Sequence, residues 1–169
     1  MAAITLDGTT VHTIGELPAI GSTARDFSAV KKDLSDIQLK QYLGKKIILN
    51  IFPSVDTSTC ATAMRKFNEI ASKLPNVLIL CISADLPFAQ KRFCAAEHLE
   101  NVQPVSIFRH PAFGKDYGVI IVDGPVTGLL ARAVVMIDED GKIMYTQLVN
   151  DLSAEPNYSP VLDLLKKNS

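Results

Sequence analysis

The residues able to do chemistry converge on Cys60. It closes the stretch Phe52-Pro53-Ser54-Val55-Asp56-Thr57-Ser58-Thr59-Cys60, which is rich in hydroxyls. An apolar run leads into this stretch and a helical apolar stripe leads out. A strand–turn–helix junction of that kind places Cys60 in the first helical turn. Backbone N–H groups there lack intrahelical partners, and the helix dipole adds partial positive charge. Both favour a thiolate and mark Cys60 as a reactive cysteine. A free thiol with a pKa of about 8.5 is only a few per cent ionised at neutral pH. Lowering it by about 2 units raises the thiolate fraction roughly thirtyfold. Enzymes reach about 10⁶-fold acceleration or more, so ionisation alone is insufficient. The site also needs donors for charge that builds on the attacked atom.

Two residues are candidates for that task. Thr57, three positions before Cys60, could donate to a bound oxygen or simply cap the helix. Asp56, Thr57, Ser58 and Thr59 compete for the cap, and periodicity does not choose among them. Arg132 stands in an otherwise apolar strand candidate, where an unpaired charge is costly. It is either a salt-bridge partner or a guanidinium beside the thiolate. Pro53 either ends the preceding strand or shields the thiolate from water. Two further cysteines remain. Cys81, between Leu80 and Ile82, reads as a small buried hydrophobe. Cys94 reads, from its neighbours alone, as a small buried helix residue.

The elements that must position these groups follow from periodicity. Residues 47–52 and 77–83 are continuous apolar runs typical of buried parallel strands. Between them Cys60, Ala63, Met64, Phe67, Ala71 and Leu74 share one helical face, and Pro75 ends that helix. Asp85-Leu86-Pro87 opens a second helix that runs to about Leu99, with proline accepted in the first turn. Short strands are expected at 27–30, 37–39, 105–108 and, at an edge, 119–122. One helical turn is expected near 39–43 and a short helix near 111–117. Asp7-Gly8 turns an N-terminal β-hairpin. Residues 131–138 and 143–148 form an antiparallel hairpin, and a last helix takes in 158–167. This order predicts one α/β domain over 1–169, a mixed sheet with helices on both faces. It resembles the thioredoxin fold with an N-terminal hairpin extension.

Composition excludes several function classes. The chain has 169 residues, enough for one sizeable core, and a formal net charge of −1. No charge run points to nucleic acid or an anionic membrane, and no stretch approaches a membrane span. The N-terminus has no basic region followed by a long apolar core, so a cytoplasmic location is expected. Three cysteines do not suggest a disulfide scaffold.

Pro53-Ser54-Val55-Asp56-Thr57-Ser58-Thr59-Cys60 resembles the Pro-x-x-x-Thr-x-x-Cys motif of the peroxiredoxins. The segments Leu49-Asn50-Ile51-Phe52-Pro53-Ser54, Cys81-Ile82-Ser83-Ala84-Asp85-Leu86-Pro87-Phe88-Ala89-Gln90 and Asp123-Gly124-Pro125 are similar to the bacterial thiol peroxidase subfamily. So is the N-terminal hairpin. The resemblance implies an antioxidant peroxidase that reduces hydrogen peroxide and organic hydroperoxides without metal or organic cofactor. It implies that Cys60 is the peroxidatic nucleophile, oxidised to a sulfenic acid. Thr57 and Arg132 then orient the peroxide, and Pro53 covers the pocket. Cys94 is the resolving cysteine, forming an intrachain disulfide with Cys60 that thioredoxin reduces. A homodimer is also implied. A disulfide requires Cα atoms within about 7 Å. Two helices that each follow a parallel strand need not bring the cysteines that close, so local rearrangement on oxidation is expected. An apolar surround of Phe52, with Phe27 and Leu129-Leu130, suggests a preference for alkyl or lipid hydroperoxides.

Three rival readings remain. Cys94 and His98, four apart on one helix, could ligate a metal, but His12 and His110 offer no matching spacing. A thioredoxin-like disulfide reductase wants Cys-x-x-Cys, and Thr57 takes the place of the first cysteine. A binding module would leave Cys60 unreactive. Glycine-rich phosphate loops are absent, which argues against a nucleotide cofactor.

Overall fold

Apolar runs set the strands. In the computed structural model, which describes residues 1–167, they are β1 (Ala3–Leu6), β2 (Thr9–His12), β3 (Ser28–Lys31), β4 (Asp36–Gln38), β5 (Lys46–Ile51), β6 (Val77–Ser83), β7 (Gln103–Ser106), β8 (Ala133–Ile137) and β9 (Ile143–Leu148). The helices are α1 (Ser58–Ser72), α2 (Pro87–Ala96), α3 (Ala112–Asp116) and α4 (Ser159–Lys167), with one 3₁₀ turn at Leu39–Tyr42. The last two residues of the expected 1–169 domain lie outside the described residues.

β1 and β2 form the N-terminal hairpin, with Asp7 and Gly8 both at positive φ, as a tight primed turn requires. The other seven strands make one mixed sheet in the order β4-β3-β7-β6-β5-β8-β9. β5, β6 and β7 are parallel, and β8 and β9 form the antiparallel hairpin. This is the mixed, helix-flanked, thioredoxin-like arrangement expected. Its consequence for the chemistry is topological. The chain steps from β5 to β6 to β7 in one direction, and right-handed crossovers then put both α1 and α2 on the same face. Cys60, Met64 and Phe67 of α1 and Cys94 of α2 accordingly share one apolar cluster, with Val161 and Leu165 of α4. The opposite face carries Phe113 of α3 and Tyr117.

The period of two along each strand sorts residues between these faces. Ile47, Leu49 and Ile51 of β5 point to the α3 face, whereas Ile48 points to the α1 face. On β6, Leu80 and Ile82 take the α3 face, and Ile79 and Cys81 the α1 face.

Several expected boundaries are corrected. The second helix stops at Ala96 rather than Leu99. His98 adopts φ 54°, its N–H donates to Ala95 O and the Leu99 N–H donates to Cys94 O. That is a Schellman closure built on a non-glycine residue, so no glycine announced it. Residues 119–122 form no strand. Ile120 and Ile121 make only isolated bridges, to Leu130 and Thr13, although Val119 and Ile121 are fully buried. β7 begins two residues earlier than expected and ends at Ser106.

Candidate active site

α1 begins at Ser58, which makes Thr57 its N-cap and Cys60 the third helical residue. The Thr57 Oγ1 accepts the Cys60 N–H at 3.2 Å. The same hydroxyl donates its proton to Ser54 O at 3.3 Å. Thr57 is therefore the cap among the four competing residues, and it also stands beside the cysteine backbone. No acidic side chain occupies the first turn of α1. The partial positive charge of the helix start is left uncompensated by any carboxylate of the helix itself.

Arg132 reaches the same point from the other side of β5. Ile51 pairs with Ala133 in the antiparallel register. Arg132 is one residue beyond that pair, at the end of β5 where the loop to α1 begins. Parity does the rest: Val134 and Met136 face the α1 cluster, and Arg132 shares their phase. Its Nη1 donates to Cys60 Sγ at 3.2 Å. Nε and Nη2 both donate to Leu152 O, at 3.2 and 2.7 Å. Arg132 is only 1% exposed and Cys60 is 0% exposed. Among the described residues no carboxylate forms an ion pair with Arg132. A buried guanidinium without a carboxylate is costly unless another group compensates it. The acceptors on this guanidinium are the Cys60 sulfur and the Leu152 carbonyl. Of the two readings of Arg132, the salt bridge is thus excluded for the described residues.

Pro53 is buried in the turn after β5, next to Phe52, whose N–H still donates to Ile82 O at 3.1 Å. Phe52, Val55 and Met64 lie in the same apolar cluster as Cys60. Phe27 and Leu130 do not. Phe27 packs edge-on against Phe113 and Tyr117, with ring centroids 4.7 and 5.7 Å away, on the other face of the sheet. Leu130 belongs to that second cluster too. Their sequence environment could not assign them a face, because both lie outside the regular strands.

The three cysteines are all free and all buried, but their surroundings differ. Cys81 pairs with Asn50 in the β5–β6 register, and the Asn50 amide donates to its sulfur at 3.6 Å. Burial in the middle of the sheet pushes the Cys81 thiol up to about 12. Burial also raises the Cys94 thiol above its ordinary range, with Lys32 pulling weakly the other way. Cys94 borders a shallow cleft of about 250 Å³ lined by Lys32, Lys91, His98 and Glu100.

The metal pairing of Cys94 with His98 finds no third ligand. Among the described residues no group of three His, Cys, Asp or Glu side chains is placed to hold an ion. His12 pairs with Asp123 at 2.7 Å and His110 with Asp36 at 2.9 Å, far apart in the chain.

Sequence reasoning missed two parts of this arrangement. The Leu152 carbonyl that anchors Arg132 is a backbone group with no sequence signature. Asp85 stood out only as part of a helix opening and of a resembling segment, and the N-cap of α2 is Leu86. Asp85 accepts hydrogen bonds from Ser54 Oγ at 2.7 Å, the Val55 N–H at 2.8 Å and Ser83 Oγ at 2.7 Å.

Comparison with known proteins places the chain. A family model described as Redoxin matches residues 19–162. A thiol peroxidase of Mycobacterium tuberculosis is 54% identical over 165 residues, covering 98% of this chain and 99% of the relative. One from Corynebacterium glutamicum is 50% identical over 165 residues, with the same coverage. The crystal structure of a peroxiredoxin-like protein from Aquifex aeolicus matches with a TM-score of 0.92 at 39% identity, over 98% of this chain and 96% of that one. The fold is that of the peroxiredoxins, oxidoreductases built on a thioredoxin-like sheet. Within that class the chain belongs to the redoxin family, in its bacterial thiol peroxidase branch.

Proposed function

We propose that the protein reduces hydrogen peroxide and organic hydroperoxides through Cys60, as an antioxidant thiol peroxidase. The observation that carries this reading is the buried Arg132 guanidinium 3.2 Å from the Cys60 sulfur. The Cys60 thiolate attacks one peroxide oxygen, the O–O bond breaks, and the leaving oxygen departs as water or alcohol after taking a proton. Cys60 is left as a sulfenic acid. Arg132 and the Thr57 hydroxyl stabilise the charge on the peroxide oxygens, with the hydroxyl swinging from Ser54 O to the substrate. Pro53 and Phe52 keep water from the thiolate. The Cys94 sulfur then attacks the Cys60 sulfur, the S–O bond breaks, the hydroxide leaves as water with the proton given up by the Cys94 thiol, and the resulting disulfide is reduced by a dithiol reductant of the thioredoxin type. The apolar residues Phe52, Val55 and Met64 around Cys60 support a preference for alkyl and lipid hydroperoxides; comparison of kcat/KM for cumene hydroperoxide and hydrogen peroxide tests it.

A homodimer and a cytoplasmic location belong to the same reading. Leu86, Phe88 and Phe108 are exposed beside the start of α2, Phe88 to 65%, and suit a partner surface. Three free thiols suit a reducing compartment, and no described helix is long and apolar enough to cross a membrane.

The deciding experiment mixes reduced protein with one equivalent of an organic hydroperoxide and follows it by mass spectrometry. A Cys60–Cys94 disulfide within one chain, formed in seconds, is expected. Oxidised Cys60 with free Cys94 would remove the resolving role. Cys60 reacting no faster than a small-molecule thiol would remove the catalytic one.

A further inference from the structure

The segment Ser83-Ala84-Asp85 has no part in the chemistry described so far, yet it ties the two cysteine-bearing elements together. The Asp85 carboxylate accepts three hydrogen bonds. Two come from the loop that leads to Cys60: Ser54 Oγ to Oδ1 at 2.7 Å, and the Val55 N–H to Oδ2 at 2.8 Å. The third comes from Ser83 Oγ to Oδ2 at 2.7 Å. Ser83 is fully buried, and its hydroxyl in turn accepts from the Gln90 side-chain amide at 3.0 Å. Gln90 is on α2, one turn before Cys94, so the two side chains share a helix face. Gln90 also donates to Val105 O at 2.9 Å, which holds this face of α2 on β7. An unbroken chain of hydrogen bonds therefore runs from the Cys60 loop through Asp85 to the helix that carries Cys94.

Cys60 and Cys94 are free thiols buried in one apolar cluster, and on this reading the Cys60 loop shifts as the two sulfurs come to bonding distance. Movement of the Cys60 loop breaks both of its bonds to Asp85. The Ser83 bond lies wholly on the other side and survives. Asp85 is half-buried rather than sealed, so water can replace the two lost donors. Bonds to a carboxylate are among the stronger hydrogen bonds in proteins, while hydration of the released carboxylate keeps the open form accessible. This is the physical profile of a reversible latch.

We propose that Asp85 is a positioning residue that latches the Cys60 loop in its peroxide-receiving form, and that release of the latch accompanies disulfide formation with Cys94. The proposal rests on the assignment of Cys60 as nucleophile and Cys94 as resolving cysteine. It predicts opposite effects on two successive steps, which a general loss of stability does not produce. Weakening the latch slows oxidation of Cys60 by peroxide, because the receiving form is less populated. The same change leaves the condensation Cys60–SOH + HS–Cys94 → disulfide + H₂O as fast or faster.

The test compares wild type, Asp85→Asn and Ser54→Ala by rapid acid quench and mass spectrometry, resolving thiol, sulfenic acid and disulfide with time. Asp85→Asn keeps the shape but removes the charge, and Ser54→Ala removes one donor from the loop side. In Asp85→Asn the ratio of condensation rate to oxidation rate is expected to rise about tenfold, the scale of one lost charge-assisted hydrogen bond. In Ser54→Ala it rises less. Amide exchange at Val55, whose N–H bonds Asp85, speeds up in both. An unchanged ratio, or both rates falling by one common factor, overturns the latch. If Asp85→Asn does not fold, the ratio in Ser54→Ala decides alone. A wild-type protein that forms no Cys60–Cys94 disulfide overturns the underlying assignment as well, whereas a normal wild-type disulfide with an unshifted ratio overturns the latch only.

Discussion

Cys60 and Cys81 are both completely buried, both in the same apolar cluster and both on the same face of the sheet. They differ in what donates to the sulfur. Cys60 receives a guanidinium at 3.2 Å and sits in the first turn of α1. Cys81 receives a neutral amide at 3.6 Å from mid-sheet, and burial lifts its thiol to about 12. Burial alone therefore does not distinguish the proposed nucleophile from the cysteine proposed to be inert. A charged donor and an open helix end can compensate a buried anion; a side-chain amide in a sheet cannot.

The comparison breaks most visibly at the cysteines themselves. Cys60→Ser is expected to lower peroxidase kcat/KM by at least about 10³-fold, whereas Cys81→Ser leaves it within about twofold. Steady-state assays with thioredoxin and its reductase read both. If Cys81→Ser proves as damaging as Cys60→Ser, the contrast in donors is irrelevant.

Removing the charged donor should carry Cys60 toward Cys81. Arg132→Met is expected to cost about 10²- to 10³-fold in kcat/KM. Arg132→Lys should fall between, because one ammonium cannot serve both Leu152 O and the sulfur with the guanidinium's planar geometry. An Arg132→Met enzyme of normal rate would leave the helix end as the sole activator.

The helix end is probed by Thr57→Val, which keeps the shape and loses the acceptor for the Cys60 N–H. A stability loss of about 1 kcal/mol is expected from urea unfolding. An activity loss of about tenfold should accompany it.

Cys81 supplies the smallest and most specific test. Its thiol keeps its proton in the folded state up to about 12, well above the range of a free thiol, because burial disfavours the anion. The unfolded chain releases that proton first and so binds fewer protons in this range. Stability is therefore retained below about pH 9 and falls as pH rises toward about 12, by up to about 1.4 kcal/mol per unit from this group. Urea unfolding of wild type and Cys81→Ala across that range isolates the effect as a difference in slope. Equal slopes would mean that the Cys81 thiol is not held protonated by the fold.

Much of this is legible in the sequence. Alternating and continuous apolar runs predicted the strands of the parallel core and the helix after Cys60, because period reports which faces are buried. The motif from Pro53 to Cys60 singled out the cysteine that the structure places beside Arg132, and that arginine stood out because a buried charge needs a reason. The errors fell where local chemistry carries no period. His98 closes α2 in a left-handed conformation without glycine, and residues 119–122 are buried without joining a ladder. Hydrophobicity alone suggests Phe27 and Leu130 as neighbours of the thiol, but both belong to the opposite face.

What the sequence determined by itself was which residues could react and which segments would be buried, since both depend on residue type and short-range spacing. What only the tertiary structure decided was who meets whom. The register of β8 on β5 carries Arg132 to the end of the strand that leads to Cys60. One-directional crossovers put Cys60 and Cys94 on a shared face. Asp85 and the Leu152 carbonyl joined the arrangement through contacts spanning 30 and 20 residues of chain. Such pairings are set by sheet order and handedness, which no local stretch of sequence encodes.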